Sequence, residues 1–221
     1  MKKLACILIF SSLISTHVFA QKARFGIRAG VNISTWGGDD VKSDFEEFDV
    51  DVMSRSGFHI VGYVPIKFSE RFELEPGLGI STKGSRTFEE ETMIYGDDLY
   101  HSEYAMEFVS TYLELPTLAK IGLSKKVDLY TGPQFSFLLA NKYKSDYLSC
   151  FNQMCESDKD DEESTDGLSN YDISWAFGLG YDIGNHWNVR AFYDLGLTKL
   201  DEQNEFKGYH RVLKFSLGYT F

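Results

Sequence analysis

The sequence lacks long apolar runs, contains little cysteine and proline, and has far fewer bases than acids. Its 221 residues include 3 Cys and 4 Pro, and 22 Lys and Arg stand against 33 Asp and Glu. Proteins that bind nucleic acids neutralise phosphates with Lys and Arg, so a net charge of −11 argues against a nucleic-acid partner. Beyond residues 1–20, no stretch approaches the ~18 apolar residues that a membrane-spanning helix needs. We therefore expect no helical membrane span in the rest of the chain.

Residues 1–20 have the features of a signal peptide for export. The basic pair Lys2-Lys3 precedes an apolar stretch, and the segment ends on residues that signal peptidase accepts, with Ala20 last. We predict cleavage after Ala20, which leaves a single domain at 21–221. An exported chain without apolar helices is either a soluble all-β domain or a transmembrane β-barrel.

The main positive signal is a repeated alternation of apolar and polar residues. It is clearest in Tyr209–Phe221, where the alternate residues include Leu213, Phe215 and Leu217, and small or polar residues stand between them. A strand with lipid on one side and a polar interior on the other shows this pattern. Seven further segments read as strands: Arg24–Ile33, Gly57–Phe68, Phe72–Lys83, Phe108–Leu123, Val127–Ala140, Tyr171–Ile183 and Trp187–Thr198.

The connections between these segments alternate between short and long, and the long ones hold most of the acids. The short ones are 69–70, 124–126 and 184–186, and the long ones are 34–53, 84–107, 142–170 and 200–207. Outer-membrane barrels have short periplasmic turns and longer loops outside. The sequence therefore predicts an all-β fold, an eight-stranded antiparallel transmembrane β-barrel with short periplasmic turns and long acidic extracellular loops. The alternative is a soluble β-sandwich, which would bury the apolar strand faces between two sheets.

Charged residues of both signs fall on the inward face of the predicted strands. Because a barrel of eight strands is only wide enough to be filled by side chains, we predict a network of paired charges in the lumen. Its members are Arg28, Glu75, Glu114, Lys120, Arg190, Asp194 and Lys214. Six other charged residues share this face: Lys67, Glu73, Lys83, Asp128, Asp172 and Asp182. A continuous path for water or ions is the alternative.

The third long loop contains two cysteines and an acidic run. Cys150 and Cys155 enclose four residues, and in an oxidising compartment we predict a disulfide between them. The run at 158–163 has the oxygen ligands that calcium prefers, but it lacks the glycine and the spacing of an EF-hand loop. We therefore expect a solvated, mobile loop with no metal site and no cofactor; weak binding of a divalent cation is the alternative.

The last strand is predicted to carry the signal for barrel assembly. Leu217, Tyr219 and Phe221 share its lipid-facing side, and Phe221 ends the chain. We expect the barrel-assembly machinery to recognise this end of the strand.

Catalytic motifs are missing. Neither G-x-S-x-G nor H-E-x-x-H occurs in the sequence. His101, Ser102 and Glu103 have the residue types of a hydrolytic triad, but three consecutive residues do not easily converge on one another. His210 lacks the serine that a lipid deacylase presents two residues later, because Val212 stands there. We therefore predict that the protein is not an enzyme.

Short motifs along the chain resemble the PorT-type outer-membrane β-barrel family. The resemblance extends over nearly all of 21–221, with divergent loops. It rests on Phe25–Asn32, Phe72–Leu78, Tyr112–Pro116 with Lys120, Tyr130–Gln134, Gly178–Tyr181 and Tyr193–Leu197. This resemblance implies an eight-stranded barrel in the outer membrane and supplies no catalytic residues. The family takes its name from a member linked to protein secretion, but that role does not transfer to this chain.

Three functional hypotheses follow. The leading one is a noncatalytic outer-membrane barrel with a structural, surface-interaction or secretion-accessory role. Its expected partners are outer-membrane lipid and lipopolysaccharide, the barrel-assembly machinery, and a protein contacted through the extracellular loops. The second hypothesis is a narrow channel or small-ligand-binding barrel, and the third is a lipid-modifying outer-membrane enzyme.

Overall fold

The computed structural model describes residues 24–41, 43, 50–95, 98–152, 154–201 and 207–221. The predicted signal peptide and its cleavage site lie outside these residues. No helical segment in these ranges is long and apolar enough to cross a membrane. The strands are β1 Gly26–Gly37, β2 Asp51–Met53, β3 Arg55–Tyr63, β4 Ile66–Lys67, β5 Phe72–Tyr95, β6 Asp98–Gly122, β7 Val127–Phe151, β8 Met154–Glu163, β9 Tyr171–Ile183, β10 Trp187–Gly196 and β11 Tyr209–Thr220.

The strands pair into a closed antiparallel ring. Within the described ranges, the pairings run through β5, β3, β1, β11, β10, β9, β7 and β6 and return to β5. The ring closes between its first and last strands, from the pair Gly26 and Thr220 to the pair Gly37 and Tyr209. Every strand of the ring therefore has a neighbour on each side, and the predicted closed antiparallel barrel is confirmed.

Burial in this barrel is the reverse of that in a soluble protein. Along β11, Phe215 and Leu217 are exposed, whereas Lys214 and Ser216, which alternate with them, are buried. The same alternation of exposed and buried residues runs along β10. A β-sandwich would bury the apolar face and expose the polar one. The apolar faces of this ring instead point outward, as lipid contact requires.

Three strands continue far beyond the length that a bilayer needs. Strands β6 and β7 have 25 residues each, whereas a tilted strand crosses a membrane in roughly 10. The excess forms an antiparallel sheet of 84–95, 98–109, 141–151 and β8, with the short strand β2 paired to its β5 edge. We call it the outer sheet.

The prediction of long loops at 84–107 and 142–170 is therefore wrong for most of their length. Runs such as 89–91 and 158–163 consist mainly of acids, which are depleted in strands. In addition, neither face of this sheet contacts lipid, so the sequence shows no alternation of apolar and polar residues there. Pairing with the neighbouring strands overrides that local preference. The predicted strand Gly57–Phe68 is likewise interrupted, because β3 ends at Tyr63 and β4 begins only after Pro65.

Candidate functional site

An arginine cluster fills the lumen towards the periplasmic end. The Arg190 guanidinium donates from Nη1 to Glu75 Oε2 at 2.5 Å and from Nη2 to Glu75 Oε1 at 3.3 Å. Arg28 Nη1 lies 3.8 Å from Glu75 Oε2. The rings of Tyr63 and Tyr130 stack on the Arg190 guanidinium, with centroids 4.8 and 4.5 Å from Cζ. Two arginines share one carboxylate, so this cluster has one excess positive charge.

A second cluster is centred on the Glu114 carboxylate, which is completely buried. Lys214 Nζ approaches it to 2.8 Å and Lys83 Nζ to 3.2 Å. Each lysine also bonds a further carboxylate at 2.8 Å, Lys214 to Asp194 and Lys83 to Asp172. Three carboxylates surround two ammonium groups, so this cluster has one excess negative charge. The excess charges of the two clusters offset each other.

An apolar layer and a very small void complete the filling of the lumen. Leu118, Tyr130, Ala176 and Phe192 form a buried apolar group inside the ring. The void lined by Phe192 together with both charge clusters has a volume of about 10 Å³. A water molecule needs at least about that much space together with free polar partners. The middle of the described lumen is therefore packed, whereas a polar cavity of about 200 Å³ reaches Glu75 and Arg190 from the periplasmic end.

The structure brings six of the seven predicted network residues into these two clusters. Lys120 is the exception, because it lies nearer the periplasmic opening and contacts Asp128 at 3.0 Å and Asp182 at 3.7 Å. Gln134 was not predicted, yet its amide donates to Glu114 at 3.1 Å and to Asp194 at 3.2 Å. The alternation along β7 indicates that Gln134 faces inward. However, the network was predicted from charged residues, and Gln134 is uncharged.

A buried chain of Ser216, His59 and Asn32 was also not predicted. Asn32 Nδ2 donates to the Phe58 and Thr82 carbonyl oxygens, so its Oδ1 is left to accept from His59 Nδ1 at 2.6 Å. His59 Nε2 then accepts from the Ser216 hydroxyl at 2.8 Å. The order of groups is that of a nucleophilic triad. However, His59 lines the void of about 10 Å³, which leaves no room for a substrate.

The histidines considered from the sequence do not form a triad either. His101 Nε2 lies 3.1 Å from Glu103 Oε1. However, His101, Ser102 and Glu103 are consecutive residues of β6. Successive side chains of a strand point to opposite faces, so Ser102 faces away from this pair. His210 Nε2 instead pairs with the Tyr112 hydroxyl at 3.1 Å. Among the described residues, no group of three or more His, Cys, Asp or Glu could hold a metal ion.

The outer sheet contains a polar concavity lined by paired charges. Its volume is about 680 Å³, and Arg55, Glu107 and Lys144 lie on its wall. Arg55 Nε donates to Glu107 Oε1 at 2.9 Å, and Lys144 Nζ lies 3.6 Å from Glu107 Oε2. Partial burial disfavours the charged carboxylate, yet the hydrogen bond from Arg55 and the charges of both cations hold the pKa of Glu107 below its ordinary value.

The end of the outer sheet contains a disulfide. Cys150 at the end of β7 is bonded to Cys155 at the start of β8, and the two residues are directly opposite in the register. The acidic run at 158–163 lies in β8 and not in a loop. Within it, the hydrogen bond from Lys142 holds the pKa of Asp161 below its ordinary value.

The end of β11 is positioned by aromatic contacts. The Phe221 ring stacks on Phe25 with centroids 4.3 Å apart, and the Phe221 N–H donates to the Phe25 carbonyl at 2.9 Å. Tyr219 packs edge-on against Trp187 and Phe221, each at 4.9 Å. Leu217 and Phe221 are exposed on the lipid side. The role of Leu217, Tyr219 and Phe221 as an assembly signal stays a prediction.

A closed antiparallel ring with apolar side chains outside and paired charges inside defines a small outer-membrane β-barrel. The sequence profile of the family described as "Outer membrane protein beta-barrel domain" matches residues 19–202, and the chain belongs to that family. The protein is accordingly located in the outer membrane. No curated protein matches the sequence significantly.

Several solved outer-membrane proteins are similar to the chain at low sequence identity. Ail of Yersinia pestis, solved with the heparin analogue sucrose octasulfate, is 16% identical with a TM-score of 0.38, over 91% of this chain and 100% of that one. Neisserial surface protein A is 9% identical with a TM-score of 0.39, over 90% and 98%. OprG of Pseudomonas aeruginosa is 11% identical with a TM-score of 0.36, over 91% and 97%. At these values the likenesses do not bear on function.

Replacing Glu114 with Ala should destabilise the barrel strongly. The substitution removes the central carboxylate of the cluster and, with it, the negative charge that offsets the excess positive charge of the arginine cluster. Leaving a buried charge uncompensated in this way costs roughly 3–5 kcal/mol. We would measure urea unfolding of the protein in phosphatidylcholine vesicles by tryptophan fluorescence and by gel mobility without boiling. The control is Glu70→Ala, because Glu70 is 93% exposed in its pair with Lys67 and should leave unfolding unchanged. Equal unfolding midpoints for Glu114→Ala and the unchanged protein would contradict a stabilising role for this cluster.

Deleting Phe221 should reduce the amount of barrel inserted in cells. The test is fractionation of outer membranes followed by electrophoresis with and without boiling. Phe68→Ala is the matched control, because Phe68 is a similarly exposed aromatic residue away from the last strand. Refolding of the purified variants into vesicles does not need the assembly machinery. It therefore separates recognition of the chain by that machinery from the stability of the folded barrel. Normal insertion of the Phe221 deletion in cells would show that the assembly signal lies elsewhere.

Proposed function

We propose that this protein is a noncatalytic outer-membrane barrel that acts as a surface-interaction component through its outer sheet. The observation that carries the proposal is the combination of a packed lumen with strands that continue well beyond the membrane. A barrel of this width that is filled by side chains has little use as a conduit. The part of the chain that is not needed to cross the bilayer is ordered sheet outside the cell, where it can meet partners.

Among the described residues, the two arrangements of serine and histidine that resemble a triad support a noncatalytic role. The Ser216 hydroxyl is bonded to His59 inside the packed lumen, and Ser102 faces away from His101 on its strand. A general base must reach the proton that it removes in a realistic substrate pose, and neither arrangement offers that. The lipid-modifying hypothesis therefore loses the residues on which it would depend.

Within the family, we place the chain in the PorT type on its strand motifs. Glu75 and Glu114 belong to these motifs and are buried inside the ring, so the motifs supply residues that fill the lumen. A secretion-accessory role would use the same outer sheet or the periplasmic turns to contact another protein. The proposed partners are lipid and lipopolysaccharide at the apolar belt, the barrel-assembly machinery at β11, and a protein at the outer sheet. The net charge of −11 opposes a nucleic-acid partner.

Planar bilayers provide the test of the sealed lumen. We expect the purified protein to insert without discrete current steps, because the apolar layer and the two charge clusters close the ring. The matched variant Leu118→Ala/Phe192→Ala shortens that layer and should admit small, brief currents if it still shows the gel shift of a folded barrel. Regular openings of the unchanged protein would contradict the proposal and support the narrow-channel hypothesis instead.

A further inference from the structure

Four large apolar side chains are exposed at the far end of the outer sheet. Ile94 is 72% exposed, Leu99 42%, Phe151 48% and Met154 74%. Ile94 pairs with Leu99 on one face of the sheet, and Phe151 pairs with Met154 on the other face, beside Tyr100. The two pairs lie at the two neighbouring hairpin turns. We call this group the apolar tip.

Lipid contact does not explain this group, because it lies far outside the membrane. Ser110 and Asn141 are paired and buried where the lumen ends, and the pair of Tyr100 and Phe151 lies ten residues further along the same ladder. At ~3.3 Å per residue this places the tip roughly 30 Å beyond the lumen. Phe151 and Met154 adjoin on one face, and adjoining apolar side chains exposed to water at such a place point to an interaction site.

The tip is held rigid by covalent and hydrogen bonds. The Cys150–Cys155 disulfide closes the turn that presents Phe151 and Met154. Asn152, in a left-handed conformation with φ 54°, joins this turn to the β5–β6 turn. Its N–H donates to the Leu99 carbonyl at 2.7 Å, and its Oδ1 accepts from the Leu99 N–H at 2.8 Å. A surface ordered in advance loses less entropy on binding.

The surroundings of the tip have charge of one sign only. Residues 89–94, 98–104, 147–152 and 154–158 contain no Lys or Arg. They contain seven acids: Glu89, Glu90, Glu91, Asp98, Glu103, Glu156 and Asp158. An apolar centre with a charged rim is the usual anatomy of a protein interface, and complementary charge steers the partner towards it.

From this arrangement we infer that the apolar tip is the docking surface for a protein partner that has an apolar pocket with a rim of Lys and Arg. The acidic rim repels an anionic membrane surface and a second copy of the same tip. The inference rests on the proposed surface-interaction function and names the part of the outer sheet that carries it. Phe151 and Met154 are the anchors, and the acids set the charge of the partner.

The test uses the full chain in phosphatidylcholine nanodiscs and short synthetic peptides as probes. The first peptide combines Lys with Leu and Phe, the second has Glu in place of Lys, and the third has Ser in place of Leu and Phe. We expect the first peptide to bind about tenfold or more tightly than the other two, with affinity that falls as salt is raised. Empty nanodiscs give the lipid background. Equal binding of the first two peptides would overturn the inference.

Variants locate that binding on the tip. The double variant Phe151→Ser/Met154→Ser should lower the affinity for the Lys-Leu-Phe peptide about tenfold or more. The double variant Cys150→Ser/Cys155→Ser should lower this affinity less, because Phe151 and Met154 remain. The control is Leu123→Ser, since Leu123 is 58% exposed at the opposite end of the barrel. Each variant is first shown to keep the gel shift of a folded barrel. Unchanged binding after loss of Phe151 and Met154 would overturn the inference alone, whereas current steps in bilayers would overturn the proposed function.

Discussion

The hydrogen-bonding demand of the backbone in lipid is the constraint on which this structure depends. Hydrocarbon offers no water to an unpaired strand edge, so a sheet can cross the membrane only as a closed ring. β1 meets that demand by pairing with both β3 and β11. Closure at this size makes the lumen narrow, and a narrow lumen brings inward side chains into contact. The inward charges must then pair, because an isolated buried charge costs several kcal/mol.

Pairing inside the ring is collective rather than pairwise. The Arg28, Arg190 and Glu75 cluster has one positive charge in excess, and the cluster around Glu114 has one negative charge in excess. The two excess charges have opposite signs and offset each other, so a change of charge in one cluster affects the electrostatics of both. Because both clusters draw on strands from across the ring, the lumen also ties together strands that are not neighbours in the sheet.

The sequence predicts the ring well because alternation is a local property. In the middle of β11 the chemistry of the residues shows their faces, with Phe215 and Leu217 towards lipid and Lys214 and Ser216 towards the lumen. Partners inside the lumen are not local, since Arg190 and Glu75 are 115 residues apart in the chain. Their inward faces were predictable, but their contact required the register of the whole ring. Lys120 is an example of what alternation does not predict. The pattern indicates that Lys120 faces inward, but it does not indicate that this residue lies nearer the opening of the barrel than the two charge clusters.

The outer sheet could not be predicted from alternation, because alternation reports contact with lipid and the outer sheet has none. Outside the membrane neither face of a strand must be apolar, so the pattern that reveals β11 is absent from β8, where acids predominate. The hydrogen-bonded ladder nevertheless continues from the barrel through β6 and β7 without a break in the chain. The position of the outer residues is therefore fixed by the barrel, although their chemistry is free of the demands of lipid. Exposed apolar residues at the end of such a sheet are not required for lipid contact, and this is why we propose that they serve recognition.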